Sequence, residues 1–146
     1  MILVDTSVWV DILKDKDGGI VRTFRDWVGS EVYAITRFTQ LELLQGAKNE
    51  WEWRHLDDYL STQYYLETSE DTWKKAARIY YDLRRKGTTV GSSIDCCIAQ
   101  IAIESKVELL HLDNDFEKIA KIRPLSEVRF KKINGIASKR ETPLSF

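Results

Sequence analysis

The chain reads as an α/β protein, a central parallel β-sheet flanked by helices on both faces, and three features predict it. Short apolar runs at Ile2 to Val4, Val32 to Ile35 and Val107 to Leu112 alternate with longer segments whose apolar residues recur at helical spacing. Parallel neighbours need crossover connections, and those helical segments supply them. Two of the strands run directly into an acidic residue, and in such sheets ligands bind beyond the carboxyl ends of the strands.

Ile2 to Val4 forms a first strand ending on Asp5, after which Thr6-Ser7 leads into the helical pattern Val8, Trp9, Ile12, Leu13. Asp15 to Gly19 is a turn. Ile20, Val21, Phe24, Trp27 and Val28 repeat at helical spacing until Gly29 stops them. Val32 to Ile35 is a second strand, and Thr36 caps a helix carrying Phe38, Leu41, Glu42 and Leu44 that closes near Gly46. A further helix is predicted over Asn49 to Leu60 and a brief strand over Tyr64 to Leu66. Ser69 to Lys86 reads as a long amphipathic helix with Trp73, Ala76, Ala77, Tyr80, Tyr81 and Leu83 inward. The loop Gly87 to Ser93 precedes a buried helix marked by Ile94, Ile98, Ile101 and Ala102. The strand Val107 to Leu112, a helix over Phe116 to Ile122 and an edge strand over Val128 to Phe130 complete the pattern. Residues 1–134 form one domain in this reading, and 135–146 a C-terminal tail, mobile or engaged in dimer contacts.

With 146 residues, 43% of them hydrophobic, the chain can enclose one sizeable core. It has no apolar run of transmembrane length and no leader pattern, so a cytoplasmic protein whose N-terminus belongs to the fold is expected. A net charge of -1 gives no basic field over the whole molecule, so any nucleic-acid contact must use local patches. Cys96 and Cys97 are neighbours in a helical pattern, where their side chains diverge, and are expected to be reduced core residues. His55 and His111 sit in no zinc-ligand spacing.

The acids carry the chemistry. Asp5 and Asp113 end the first and fourth strands and so point to one edge of the sheet. Asp95 lies in the first turn of the buried helix, and Glu42 lies beside an apolar stripe. Each has a plain structural reading: Asp5 and Asp113 as helix caps, Asp95 as part of a Ser92-x-x-Asp95 capping box, Glu42 as a snorkelling side chain. Jointly they say more, because carboxylates gathered at one edge raise one another's pKa, a cost that a divalent cation removes. All-oxygen ligation suits Mg²⁺, with Mn²⁺ as a substitute, better than zinc. Such an ion serves phosphodiester hydrolysis.

Ile2-Leu3-Val4-Asp5-Thr6-Ser7, Thr39 to Gly46 around Glu42, Ser92 to Ala99 around Asp95, and Leu110 to Phe116 around Asp113 resemble, in order, the four acidic motifs of the PIN-domain family. The resemblance spans nearly the whole chain and implies a PIN-like three-layer sandwich. It also implies a toxin of the VapC type: a metal-dependent endoribonuclease, usually dimeric, held inactive by an antitoxin. By motif, Asp5 and Asp95 match the most regular metal ligands, with Glu42 and Asp113 completing the set and Asp115 a second candidate for the fourth acid. Thr6 or Ser7 matches the hydroxyl that steadies Asp5 or a metal-bound water. The chain departs from the common pattern in having His111 where Thr or Ser is frequent, and Cys96-Cys97 where other small residues usually stand.

Arg84-Arg85-Lys86, with Lys131-Lys132 and Lys139-Arg140, are candidate phosphate contacts. For Arg84 to Lys86, complementing the helix dipole is the main alternative. Trp51 and Trp53 are assigned either to a partner or dimer surface or to the core. A receiver domain uses similar strand-end carboxylates and Mg²⁺, but the first strand here ends in one Asp and not an acidic pair. A flap or DNA nuclease of the same fold, and a binding-only domain, remain as alternatives.

Overall fold

The computed structural model describes residues 1–133 and 136–137. Apart from 136–137, the expected tail, with Lys139-Arg140, lies outside the described residues, as does the side chain of Lys132.

The elements in chain order are β1 (Ile2–Val4), α1 (Thr6–Leu13), α2 (Gly19–Val28), β2 (Tyr33–Ile35), α3 (Arg37–Gln45), α4 (Glu50–Ser61), β3 (Tyr64–Tyr65), α5 (Thr72–Arg85), α6 (Ser93–Ser105), β4 (Glu108–His111), α7 (Asn114–Ala120), β5 (Glu127–Arg129), β6 (Lys132–Ile133) and β7 (Ile136–Ala137). Five strands form one sheet in the order β3-β2-β1-β4-β5, every neighbouring pair parallel. The strands β6 and β7 make a small antiparallel pair of their own.

Side chains of β1 alternate between two cores, as the period of a strand dictates. Leu3, with Ala34 and Leu109, packs under α5, α6 and α7 through Ile79, Leu83, Ile98, Ile101, Phe116 and Ile119. Ile2 and Val4, with Ile35 and Leu110, pack under Val8, Trp9, Phe24, Trp27, Leu43 and Leu60 on the opposite face. Both faces are therefore covered, and β1 is fully buried at the centre.

Two helix faces differ from the sequence expectation. On α5 the buried stripe is Thr72, Ala76, Ile79 and Leu83, at spacings of four, three and four, whereas Trp73 (55% exposed), Ala77 and Tyr81 face outward. The stripe is one residue, or about 100°, out of phase with the aromatic pattern. On α3 the buried positions are Thr39 and Leu43, and Leu41 is exposed. The helix α5 also begins at Thr72 and not Ser69, whose backbone N–H instead donates to the Thr72 hydroxyl. Thr36 caps α3 as expected, its side chain accepting from the Thr39 N–H. Cys96 and Cys97 are free and buried, and burial pushes the Cys96 thiol up to about 12, as expected of inert core thiols.

Candidate metal centre

From β1 the chain moves to β2 on one side, and the later strands β4 and β5 lie on the other, so the crossovers diverge between β1 and β4. Loops separate at such a switch point and leave a crevice at the carboxyl ends of the strands. Asp5 and Asp113 stand there, after β1 and β4 respectively, and the Asp5 N–H donates to Leu110 O at 2.9 Å to tie the two strand ends together.

Asp5 caps α1 with one oxygen and leaves the other toward the crevice. Its Oδ2 accepts the Ser7 N–H at 2.9 Å and the Ser7 hydroxyl at 2.5 Å. Ser7 Oγ in turn accepts the Leu112 N–H at 3.0 Å, stitching the start of α1 to the end of β4. Asp5 Oδ1 is buried with no hydrogen-bond partner. Burial raises the Asp5 pKa, the Ser7 hydrogen bonds oppose that, and the charge of Asp113 adds to it.

Asp113 likewise caps α7 with one oxygen, Oδ1, which accepts the Asp115 N–H at 2.9 Å. Ser92 caps α6 by accepting from the Ile94 N–H, which brings Asp95 into the crevice from the first helical turn. Asp95, Asp113 and Asp115 each offer an oxygen within 4.8 Å of the others. Burial first, then the charges of Asp5 and Asp113, and last the hydrogen bond and charge of Asp115 push the Asp95 carboxyl up to about 8. Asp115 also anchors the preceding loop: its Oδ2 accepts the Gly91 N–H at 2.7 Å and its Oδ1 lies 3.4 Å from Lys118 Nζ, which donates to Thr89 O at 2.9 Å.

Glu42 reaches the centre from α3. Its Oε1 accepts the Thr6 hydroxyl at 2.9 Å, and Thr6 Oγ1 is also 3.0 Å from Thr39 Oγ1. Burial raises its pKa, partly offset by Thr6, with a further rise from the charge of Asp5. The structure therefore joins Glu42 to Asp5 through Thr6, and gathers Asp95, Asp113 and Asp115 into one cluster next to Asp5. Arg84, Arg85 and Lys86 are exposed at the end of α5, and the Arg84 guanidinium lies over the Tyr80 ring, 6.0 Å from its centroid. Trp51 (69% exposed) and Trp53 are on the surface and not in the core.

Sequence reasoning did not find Thr39, Gly91, Lys118 or His111 as parts of this centre. Backbone and hydroxyl contacts of this kind leave no spacing signal, and a single His in a strand reads as core. His111, Glu117 and Glu127 also lie within reach of one another, but His111 Nε2 bonds Glu127 and Glu117 pairs with Arg129 at 2.9 Å. A groove of about 870 Å³ between α1, α3 and α4 is lined by Leu13, Leu43, Trp51, Leu56 and Tyr59, with Glu42 also on its wall.

The residues fit a hard divalent cation. The donors are all carboxylate oxygens, one of them, Asp5 Oδ1, is buried and unpartnered, and every raised carboxyl in the group would be relieved by a positive charge.

A five-stranded parallel sheet with acids gathered at its switch point defines the class, and comparison with known families agrees: the model described as "PIN domain" matches residues 2–122. The chain belongs to the PIN-domain family. Over 134 residues it is 31% identical to the VapC ribonuclease Mb1587 of Mycobacterium bovis and to the ribonuclease VapC11 of Mycobacterium tuberculosis, covering 90% of this chain and all of each relative. Its fold is similar to that of VapBC2 from Rickettsia felis, solved bound to a promoter DNA fragment, with a TM-score of 0.72, 20% identity, and coverage of 90% of this chain and 100% of that one.

Proposed function

We propose that this protein is a Mg²⁺-dependent endoribonuclease acting as the toxin of a toxin–antitoxin pair. The observation that carries the reading is the buried, unpartnered Asp5 Oδ1 beside carboxyls that raise one another's pKa, in a family whose named relatives here are ribonucleases. That pattern is stable once a cation completes it.

Asp5, Asp95 and Asp113 would hold the ion, with Glu42 adjoining through Asp5. A divalent ion bound there supplies Lewis acidity toward a phosphodiester and toward the attacking water. Ser7 fixes the rotamer of Asp5 by holding one oxygen, which leaves the other for the centre. Thr6 orients Glu42 by donating its hydroxyl to Oε1, and burial holds that carboxyl above its ordinary range. Asp115 pins the Gly91 loop so that α6 presents Asp95 in the same place in each molecule. Arg84 to Lys86, exposed just before that loop, are read as contacts to RNA phosphates. Leu41, Trp51 and Trp73, all exposed, supply apolar surface for protein contacts, with a cognate antitoxin and a second copy of the chain as partners.

The test is to incubate the purified, antitoxin-free protein with total cellular RNA in Mg²⁺ or in EDTA, beside Asp95→Asn, and to map the 5′ ends of the products. Discrete metal-dependent cuts that vanish in the variant are expected. Absence of cutting by folded, metal-loaded protein, or cuts unchanged in the variant, overturns the reading. Parallel digestion of single-stranded and flap DNA separates the ribonuclease from a DNA nuclease of the same fold.

A further inference from the structure

Two residues before Asp113 this chain carries an imidazole that is 0% exposed. His111 ends β4 and packs on the ring of Phe116, centroids 5.1 Å apart. Its Nδ1 accepts the Asp113 backbone N–H at 3.1 Å. An imidazole that accepts at Nδ1 carries its proton on Nε2, and Nε2 donates to Glu127 Oε2 at 2.5 Å. Glu127 belongs to β5, the edge strand, whose register sets Arg129 opposite His111 and Glu127 two places earlier. The backbone closes the arrangement, since His111 O accepts the Phe130 N–H at 2.8 Å.

We infer that His111 is a positioning residue that fixes the Asp113 carboxylate for metal binding, and that Glu127 fixes the tautomer in which His111 does so. The peptide N–H of Asp113 is held by His111, and one Asp113 oxygen is held by the Asp115 N–H. With its peptide N–H and one carboxylate oxygen both held, Asp113 has its second oxygen left for the centre. A Ser or Thr at 111 has an acceptor for the Asp113 N–H but is too short to reach Glu127, so only the imidazole couples the edge strand to the acid. Partners of this kind behind a metal ligand commonly change affinity 10- to 100-fold.

The inference rests on the metal-centre part of the proposed function and not on the identity of the substrate. Three proteins test it: wild type, His111→Asn, whose Oδ1 replaces Nδ1 as acceptor, and His111→Gln, whose amide reaches toward Glu127 in place of Nε2. Mn²⁺ affinity is measured by calorimetry and thermal midpoints in EDTA. His111→Asn should keep Mn²⁺ affinity within about 3-fold of wild type, while His111→Gln should lose about 10-fold or more. Equal affinities in the two variants, or affinity that simply follows the thermal midpoint, overturns the inference. Wild-type protein that does not bind Mn²⁺ overturns it together with the metal centre. Wild-type protein that binds Mn²⁺ with the expected variant order but cuts no RNA supports it and removes only the ribonuclease.

Discussion

Replacing Asp95 with asparagine should stabilise the metal-free protein while abolishing its metal response. Burial first, then the charges of Asp5 and Asp113, push the Asp95 carboxyl up to about 8. Its folded pKa lies above the unfolded one, so the folded chain holds this proton more tightly. The stability it contributes is full below about pH 4 and is lost as pH rises toward about 8. Each pH unit of difference is worth about 1.4 kcal/mol; Asp95 is only half-buried and solvent screens its neighbours, so we expect about 2 kcal/mol of penalty at pH 8. In a domain of this size that is roughly 5–8 °C in thermal midpoint. Melting followed by circular dichroism in EDTA should show Asp95→Asn above wild type by that amount at pH 8, with the gap narrowing toward pH 5. Added Mn²⁺ should then raise the wild-type midpoint at pH 8 and leave the variant unchanged, because metal binding requires the deprotonated carboxylate. Equal midpoints at pH 8 in EDTA, or equal responses to Mn²⁺, would refute the view that these acids repel one another until a cation joins them.

Ser7→Ala leaves the Leu112 N–H and Asp5 Oδ2 short of a partner and should lower stability by about 1–3 kcal/mol; an unchanged urea midpoint would show that the stitch is dispensable. Asp113→Asn should weaken Mn²⁺ binding by more than about 10-fold. Asp115→Asn, which can still accept the Gly91 N–H, should stay within a few fold of wild type. Calorimetry giving the reverse order would make Asp115 the fourth acid. The triple variant Arg84→Ala, Arg85→Ala, Lys86→Ala should flatten the dependence of log RNA affinity on log salt by about 0.7 for each phosphate the protein no longer neutralises. Parallel salt plots would instead assign these cations to the α5 dipole alone.

Much of this centre was legible in the chain because an α/β sheet puts strand ends, and therefore strand-end residues, at one edge whatever the strand order. Asp5 and Asp113 each follow an apolar run, and Asp95 enters a helix whose every face is apolar, so the sequence places all three away from open solvent. Helix phase was less secure. Trp73 and Tyr81 count as apolar in a periodicity, yet their polar tips tolerate the surface, and Ile79 settles the stripe only once α6 is packed against α5.

The sequence by itself determined the layer architecture and which acids stand at the strand ends and helix starts, since these follow from periodicity. Only the tertiary structure decided that β1 and β4 are neighbours and that Asp5 spends one oxygen on Ser7 and leaves the other unpartnered. It alone shows that Asp115 holds a loop and that His111 links an edge strand to Asp113. Those facts depend on groups up to 105 residues apart meeting within 3.0 Å, and hydrogen bonds at that separation leave no period in the chain.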